Sequence, residues 1–241
     1  MSDAYAAPPP PPPPPPSPVT FDFVRPFAFV FEDARWVNKV LMGGLFQLAA
    51  FLLIGIPFLI GYAAKLARNV VAGAPEPLPE WDELSEKFAE GLTLVAAALL
   101  YVLPLILLFI ALCVPFAAAT GVARGISGHD FDPDAFGSMF AGVYCLMLPI
   151  GLAYAVWMPA ALVHAMIERR FSAAFEFRRI WSFISGNIGN YLLALIVTLV
   201  ARFAANFGII LFCIGIVFTM FWSHIVSVYA VAQAWRLSTE K

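Results

Sequence analysis

Residues 92–122 read LTLVAAALLYVLPLILLFIALCVPFAAATGV, 31 positions without one Asp, Glu, Lys or Arg. As a helix, such a run extends about 46 Å at 1.5 Å per residue, whereas a bilayer's hydrocarbon core needs only about 20 residues. A run that is apolar on every side cannot be the surface helix of a soluble domain. Pro104 and Pro115 lie inside it. Membrane helices tolerate proline, so the stretch predicts one long, proline-kinked span.

Working outward, three more apolar runs appear. Val40 to Val71 contains Pro57, and Phe136 to Ile167 contains Pro149 and Pro159. Tyr191 to Trp235 has 45 residues, enough for two helices, with a break expected between Phe207 and Gly215. The composition agrees. Of 241 residues 61% are hydrophobic and 12% charged, and mean hydropathy is +0.84. With 14 basic and 16 acidic residues the chain cannot clothe a soluble core. A formal charge of −2 offers no basic stripe for nucleic acid. Cys113, Cys145 and Cys213 lie in apolar runs and read as buried thiols.

The first run can be one tilted span or a hairpin folded at Gly55-Ile56-Pro57. Basic residues favour the cytoplasmic side, and this rule separates the two. The hairpin puts Arg25, Arg35, Lys39, Lys65, Arg68, Lys87, Arg169, Arg170, Arg178, Arg179, Arg236 and Lys241 on one side. Arg124 alone falls opposite, and Arg202 lies within the membrane. A single span sorts them less well. The preferred fold is therefore an all-α, polytopic integral membrane protein of about six membrane segments, built as hairpins, with both termini cytoplasmic. The arms of the first hairpin are short for a full crossing, so the pair can be re-entrant.

A segment of helical amphipathicity precedes each hairpin. Phe27, Val30, Phe31, Ala34 and Val37 form the first stripe, with Pro26 in the opening turn. Trp81, Leu84, Phe88 and Leu92 form the second, with Pro79 as helix start and Glu83–Lys87 as an i,i+4 pair. Ala173, Phe177, Ile180, Ile184 and Ile188 form the third. Aromatic on one side and charged on the other, such helices lie in the membrane interface. Trp36, Trp81, Arg169, Arg170, Arg178, Arg179 and Trp181 make up the candidate interfacial or partner surface.

Residues 1–20 are different in kind. Nine consecutive prolines, Pro8 to Pro16, fix φ and remove nine donors. They predict a disordered, proline-rich cytoplasmic arm with polyproline II character, reaching roughly 28 Å over the run. It lacks the basic and apolar regions of a signal peptide. The arm is either a docking rod for a proline-binding partner or a spacer. Residues 21–241 form a single helical transmembrane domain.

Several of these stretches resemble an uncharacterised prokaryotic family of multi-pass membrane proteins, the four-thousand-and-thirteenth domain of unknown function. The residues that carry the resemblance begin with Phe31-Glu32-Asp33-Ala34-Arg35-Trp36-Val37, Gly43-Gly44-Leu45, Gly61-Tyr62, Arg68-Asn69 and Gly73. They continue with Leu78-Pro79-Glu80-Trp81-Asp82, Phe88, Gly91, Ala174-Phe175-Glu176-Phe177 and Asn187 to Leu192. The similarity covers roughly 25–236. It implies a multi-pass membrane protein and supplies no catalytic residues, because the family has no established activity.

Ionisable residues inside apolar runs are the remaining functional leads. Arg202 can pair with an anionic substrate or lipid headgroup, or snorkel to the surface. His224 suits a proton relay or a neutral hydrogen bond to a neighbouring helix. His164 and Glu168, four apart, read as a local hydrogen-bonded pair. The loop from Gly128 to Asp134 gathers three carboxylates and a histidine without calcium-loop spacing, and Asp132-Pro133 reads as a helix start. No phosphate loop, nucleophile elbow or zinc signature is present, so no catalytic, cofactor or metal site is expected. The leading function is a non-enzymatic accessory, scaffold or lipid-interacting protein of the cytoplasmic membrane. Its partners would be lipids, and a protein at the cytoplasmic face or proline arm. The alternative is a small-solute transporter or channel using Arg202 and His224, which would exploit the proline-broken helices.

Overall fold

The structure is a computed structural model that describes residues 20–119, 133–210 and 215–240. The proline run, Arg124, Cys213 and the loop from Gly128 to Asp132 lie outside the described residues. All regular structure among the described residues is helical. In chain order the helices are α1 (Arg25–Glu32), α2 (Trp36–Ala49), α3 (Gly55–Val71), α4 (Leu84–Ala119), α5 (Pro133–Glu168), α6 (Phe177–Gly186), α7 (Ile188–Asn206) and α8 (Gly215–Thr239). Short 3₁₀ turns at Ala50–Leu52, Phe171–Phe175 and Phe207–Ile210 join them.

Local chemistry sets these boundaries. Asp22 Oδ1 accepts the Val24 and Arg25 N–H groups at 3.0 Å each, and Pro26 sits in the first turn of α1. The α2–α3 hairpin closes at Leu53, which is left-handed at φ 65°. Gly55 follows because a Cβ there would lie 2.0 Å from the Phe46 carbonyl oxygen. The end of α3 is a glycine cap. Gly73 has φ 71°, its N–H bonds the Val70 carbonyl, and the Ala74 N–H bonds that of Asn69. Helices α4 and α5 run unbroken through Pro104 and Pro115 and through Pro149 and Pro159, as the sequence predicts.

Among the described residues, four helices are long and apolar enough to cross a membrane: Leu84–Pro115, Phe140–Glu168, Ile188–Ile210 and Gly215–Thr239. The sequence count is six. The difference is the first hairpin, which folds as expected but has arms of 14 and 17 residues. Those lengths give about 21 and 26 Å, short of a 30 Å core. The fourth run divides at Phe207–Ile210, where expected.

Burial orders the bundle. In α8 56% of the apolar window is buried, against 6% in α4, so α8 is central and α4 is nearly all outer surface. Phe221, Ile225, Val226 and Ala230 of α8 meet Tyr62, Ala64, Leu66 and Ala67 of α3 in one core. Small residues let helices approach. A Cβ on Gly61 would sit 1.9 Å from the Lys87 carbonyl oxygen, and one on Gly91 would sit 1.7 Å from that of Pro57. The α3–α4 crossing thus requires both glycines. Gly43 of α2 likewise lies beneath the Phe221 ring.

Several local expectations change. In α1 the buried residues are Pro26, Phe29 and Val30, while Phe31 and Val37 point outward. Asp33 terminates α1, so the stripe does not continue to Val37. Pro79 does not start a helix; α4 begins at Leu84, because residues 77–83 are drawn into the bundle by the bonds described next. Phe177 is exposed, and Phe183 takes the inward place beside Ile180 and Ile184. Cys145 is exposed on α5, and Cys113 is half-buried.

Candidate functional site

Charged residues collect at one end of the bundle, where α3 ends, α4 begins, and α5 and α8 finish. The loop Leu78-Pro79-Glu80-Trp81-Asp82 is its centre. Lys39, one turn into α2, is 4% exposed. Its Nζ donates to Asp33 Oδ2 at 2.5 Å and to the Leu78 carbonyl at 2.9 Å, and it lies 2.6 Å from Glu80 Oε1. An ammonium has three donors, and all three are met. A buried charge is tolerable only on such terms. Arg35 reaches the same Glu80 oxygen at 2.7 Å.

Trp81 is a plug and not a surface anchor. Its ring stacks on Tyr62 at 4.2 Å and on Phe46 at 4.7 Å, and its Nε1–H donates to the Lys39 carbonyl at 2.8 Å. Tyr62 Oη, fully buried, donates to the Pro79 carbonyl at 2.9 Å. Asn69 donates to the Pro77 carbonyl at 2.9 Å. The loop therefore ties α2, α3 and α4 together through its own carbonyls. The expected Glu83–Lys87 pair is not made. Glu83 bonds Lys65 at 3.0 Å, and Lys87 bonds the Asp82 carboxylate at 2.8 Å and the Asp82 carbonyl. Glu83 has left-handed φ, 46°, which turns its side chain toward α3.

A second cluster joins α3 and α4 to the end of α5. Arg68 makes a two-pronged pair with Glu90 and donates to the Met166 carbonyl at 2.9 Å. Arg169 lies 3.7 Å from Glu86. His164, 1% exposed, does not bond Glu168. Its Nε2 meets Glu176 Oε2 at 3.1 Å, and its ring stacks on Trp235 of α8 at 4.8 Å. Glu168 instead serves Arg170 at 3.1 Å and Arg179 at 3.7 Å, and both arginines also reach Glu176. The 3₁₀ turn Phe171–Phe175 swings Glu176 over His164, an arrangement that i,i+4 spacing could not reveal.

The carboxylates respond to these partners. Burial pushes the Asp33 carboxyl up, but the bonds from Lys39 and the Arg35 N–H outweigh it and hold it below its ordinary 3.8. Lys87 holds Asp82 low through its hydrogen bond. His164, then the Arg179 and Arg170 charges, hold Glu176 below its ordinary 4.5.

The other sequence-singled residues fall into two groups. Arg169, Arg170, Arg178, Arg179 and Trp181 are exposed at the rim of this polar end, and Trp36 is half-buried against Phe31. Arg202 and His224 are exposed on the α7–α8 hairpin, away from the rim. Sequence reading put Lys39 and Arg68 on this side but did not find their partners Asp33, Glu80 and Glu90, nor the Tyr62 bond to the loop. One signal was present: a lysine at the mouth of an apolar hairpin needs a counter-charge. Its partners, six and 41 residues away, follow no helical period.

Residues 44–219 match a family described as a protein of unknown function, DUF4013. The chain belongs to the DUF4013 family. The match spans the end of α2, α3, the plugged loop, α4 to α7 and the start of α8. Asp33, Lys39 and Gly43 lie before it, so the Lys39 pocket joins residues outside the matched stretch to Leu78 and Glu80 inside it. No curated protein and no solved structure matches the chain.

Proposed function

We propose that this DUF4013 chain is a non-enzymatic, lipid-interacting accessory or scaffold protein of the cytoplasmic membrane. Four full spans and a re-entrant α2–α3 hairpin make six membrane segments, with both termini cytoplasmic. The observation that carries this reading is the division of the polar residues. Inner charges are consumed in fixed, fully paired contacts, as at Lys39 and Arg68, which suits a rigid frame. Outer ones, with Trp181 63% exposed and Phe177 57% exposed beside Arg178, form an aromatic and basic rim. Such a rim lies at the headgroup level and attracts anionic lipid. In this reading α1 and α6 are interfacial helices, and the proline arm extends on the same side toward a protein partner.

The test is purification of the full chain in mild detergent, with identification of what accompanies it. Anionic lipid retained through washing, or a protein in fixed stoichiometry, is the expected result. A lipid-free monomer that moves small solutes across liposomes would refute it and favour a transporter or channel.

A further inference from the structure

Arg202 is the only Asp, Glu, Lys or Arg between Arg179 and Arg236. Helix α7 leaves the polar end at Asn187, whose side chain bonds the Ala234 carbonyl at 2.7 Å. Arg202 stands fifteen residues further on, about 22 Å along the helix axis. It therefore approaches the opposite edge of a 30 Å hydrocarbon core. Its side chain is exposed, between Leu199 at 69% and Phe203 at 67% exposure. Among the described residues no carboxylate pairs with it. A guanidinium does not shed its proton, so it must find an anion or reach for the headgroups.

His224 stands beside it on α8. The Thr219 hydroxyl, bonded to the Ala205 carbonyl at 2.7 Å, fixes the register of the two antiparallel helices. That register puts position 224 level with the turn of α7 carrying Arg202. His224 is itself exposed on α8. Two polar groups thus converge on one lipid-facing spot.

We propose that Arg202, assisted by His224, binds the phosphate of an anionic membrane phospholipid in the leaflet opposite the polar end. The site deepens the lipid-interacting reading above and rests on it. A guanidinium holds a phosphate through two parallel charge-assisted bonds. With no carboxylate partner among the described residues, the positive charge selects a headgroup of net negative charge over a zwitterionic one. The phosphate comes with its lipid, because the surrounding exposed Leu199, Phe203 and Phe207 offer acyl chains a surface and a free anion none.

The experiment is native mass spectrometry of the delipidated full chain, titrated separately with phosphatidylglycerol, phosphatidylcholine of the same acyl chains, and inorganic phosphate. The wild type should favour phosphatidylglycerol by at least about five-fold. Arg202→Gln should erase that preference, Arg202→Lys should keep part of it, and His224→Leu should weaken it. Preference unchanged in Arg202→Gln but lost in Arg178→Gln would overturn this site and leave the lipid-interacting reading standing. No preference in the wild type would overturn both. Displacement of the lipid by millimolar inorganic phosphate would show a soluble-anion site and overturn the lipid assignment.

Discussion

Trp81 shows how a single side chain can hold three helices. It stacks on Phe46 of α2 and Tyr62 of α3, lies 6.0 Å from Phe221 of α8, and donates to the Lys39 carbonyl. Trp81→Ala removes this contact surface and should cost about 3–5 kcal/mol, read as a lowered thermal midpoint in detergent. Lys39 and Asp33 give a sharper test. Asp33→Asn leaves a buried ammonium short of its counter-charge and should destabilise by about 3–5 kcal/mol, whereas the double change Asp33→Asn with Lys39→Met should recover part of that loss. Acid should act on the same pair. Asp33, Asp82 and Glu176 all titrate below their ordinary values, so their stabilisation is complete above the ordinary carboxylate range and disappears as pH falls through the lowered values. The thermal midpoint should hold from pH 7 to about 5 and drop below about 4, with a smaller drop in Asp33→Asn. A midpoint insensitive down to pH 3 would contradict this account.

At the scale of elements, the sequence revealed the spans better than the turns between them. The run 92–122 was legible because it has no charge, and α4 does continue as one helix through both prolines. The fourth run divided where glycine interrupts it. The start of α4 was misread because Pro79 and the acids after it mimic a helix N-terminus. Tyr62, Asn69 and Lys39 capture the carbonyls of Pro79, Pro77 and Leu78, and the segment stays extended. Those captures come from distant residues, which local pattern cannot report. The α3–α4 crossing is the element-scale counterpart. Gly91→Ala places a methyl 1.7 Å from the Pro57 carbonyl oxygen, and neither backbone can yield cheaply. The expected result is a loss of about 1–3 kcal/mol or more and a weakened Arg68–Glu90 pair, seen as faster hydrogen exchange at the start of α4. A wild-type exchange pattern would contradict the close crossing.

At the scale of the whole molecule, the structure makes the sorting of charge physical. Charged residues from α2, α3, α4 and α8 and from the segment just after α5 meet at one end, although they are far apart in the chain. The N-terminal segment reaches that end too, where Arg25 bonds the Tyr229 hydroxyl at 3.2 Å. That grouping was legible from the positive-inside rule. The pairing within it was not, because His164 and Lys39 find partners through tertiary approach and not through spacing. In the proposed topology the chain enters and leaves the first hairpin on one side, and α4 then crosses. Cysteines placed singly at Asp22, Glu76 and Arg124, in a chain otherwise free of cysteine, test it by labelling with a membrane-impermeant thiol reagent. Positions 22 and 76 should label from the same, cytoplasmic side and position 124 from the other. Labelling of 22 and 76 from opposite sides, or of 76 and 124 from the same side, would contradict the account.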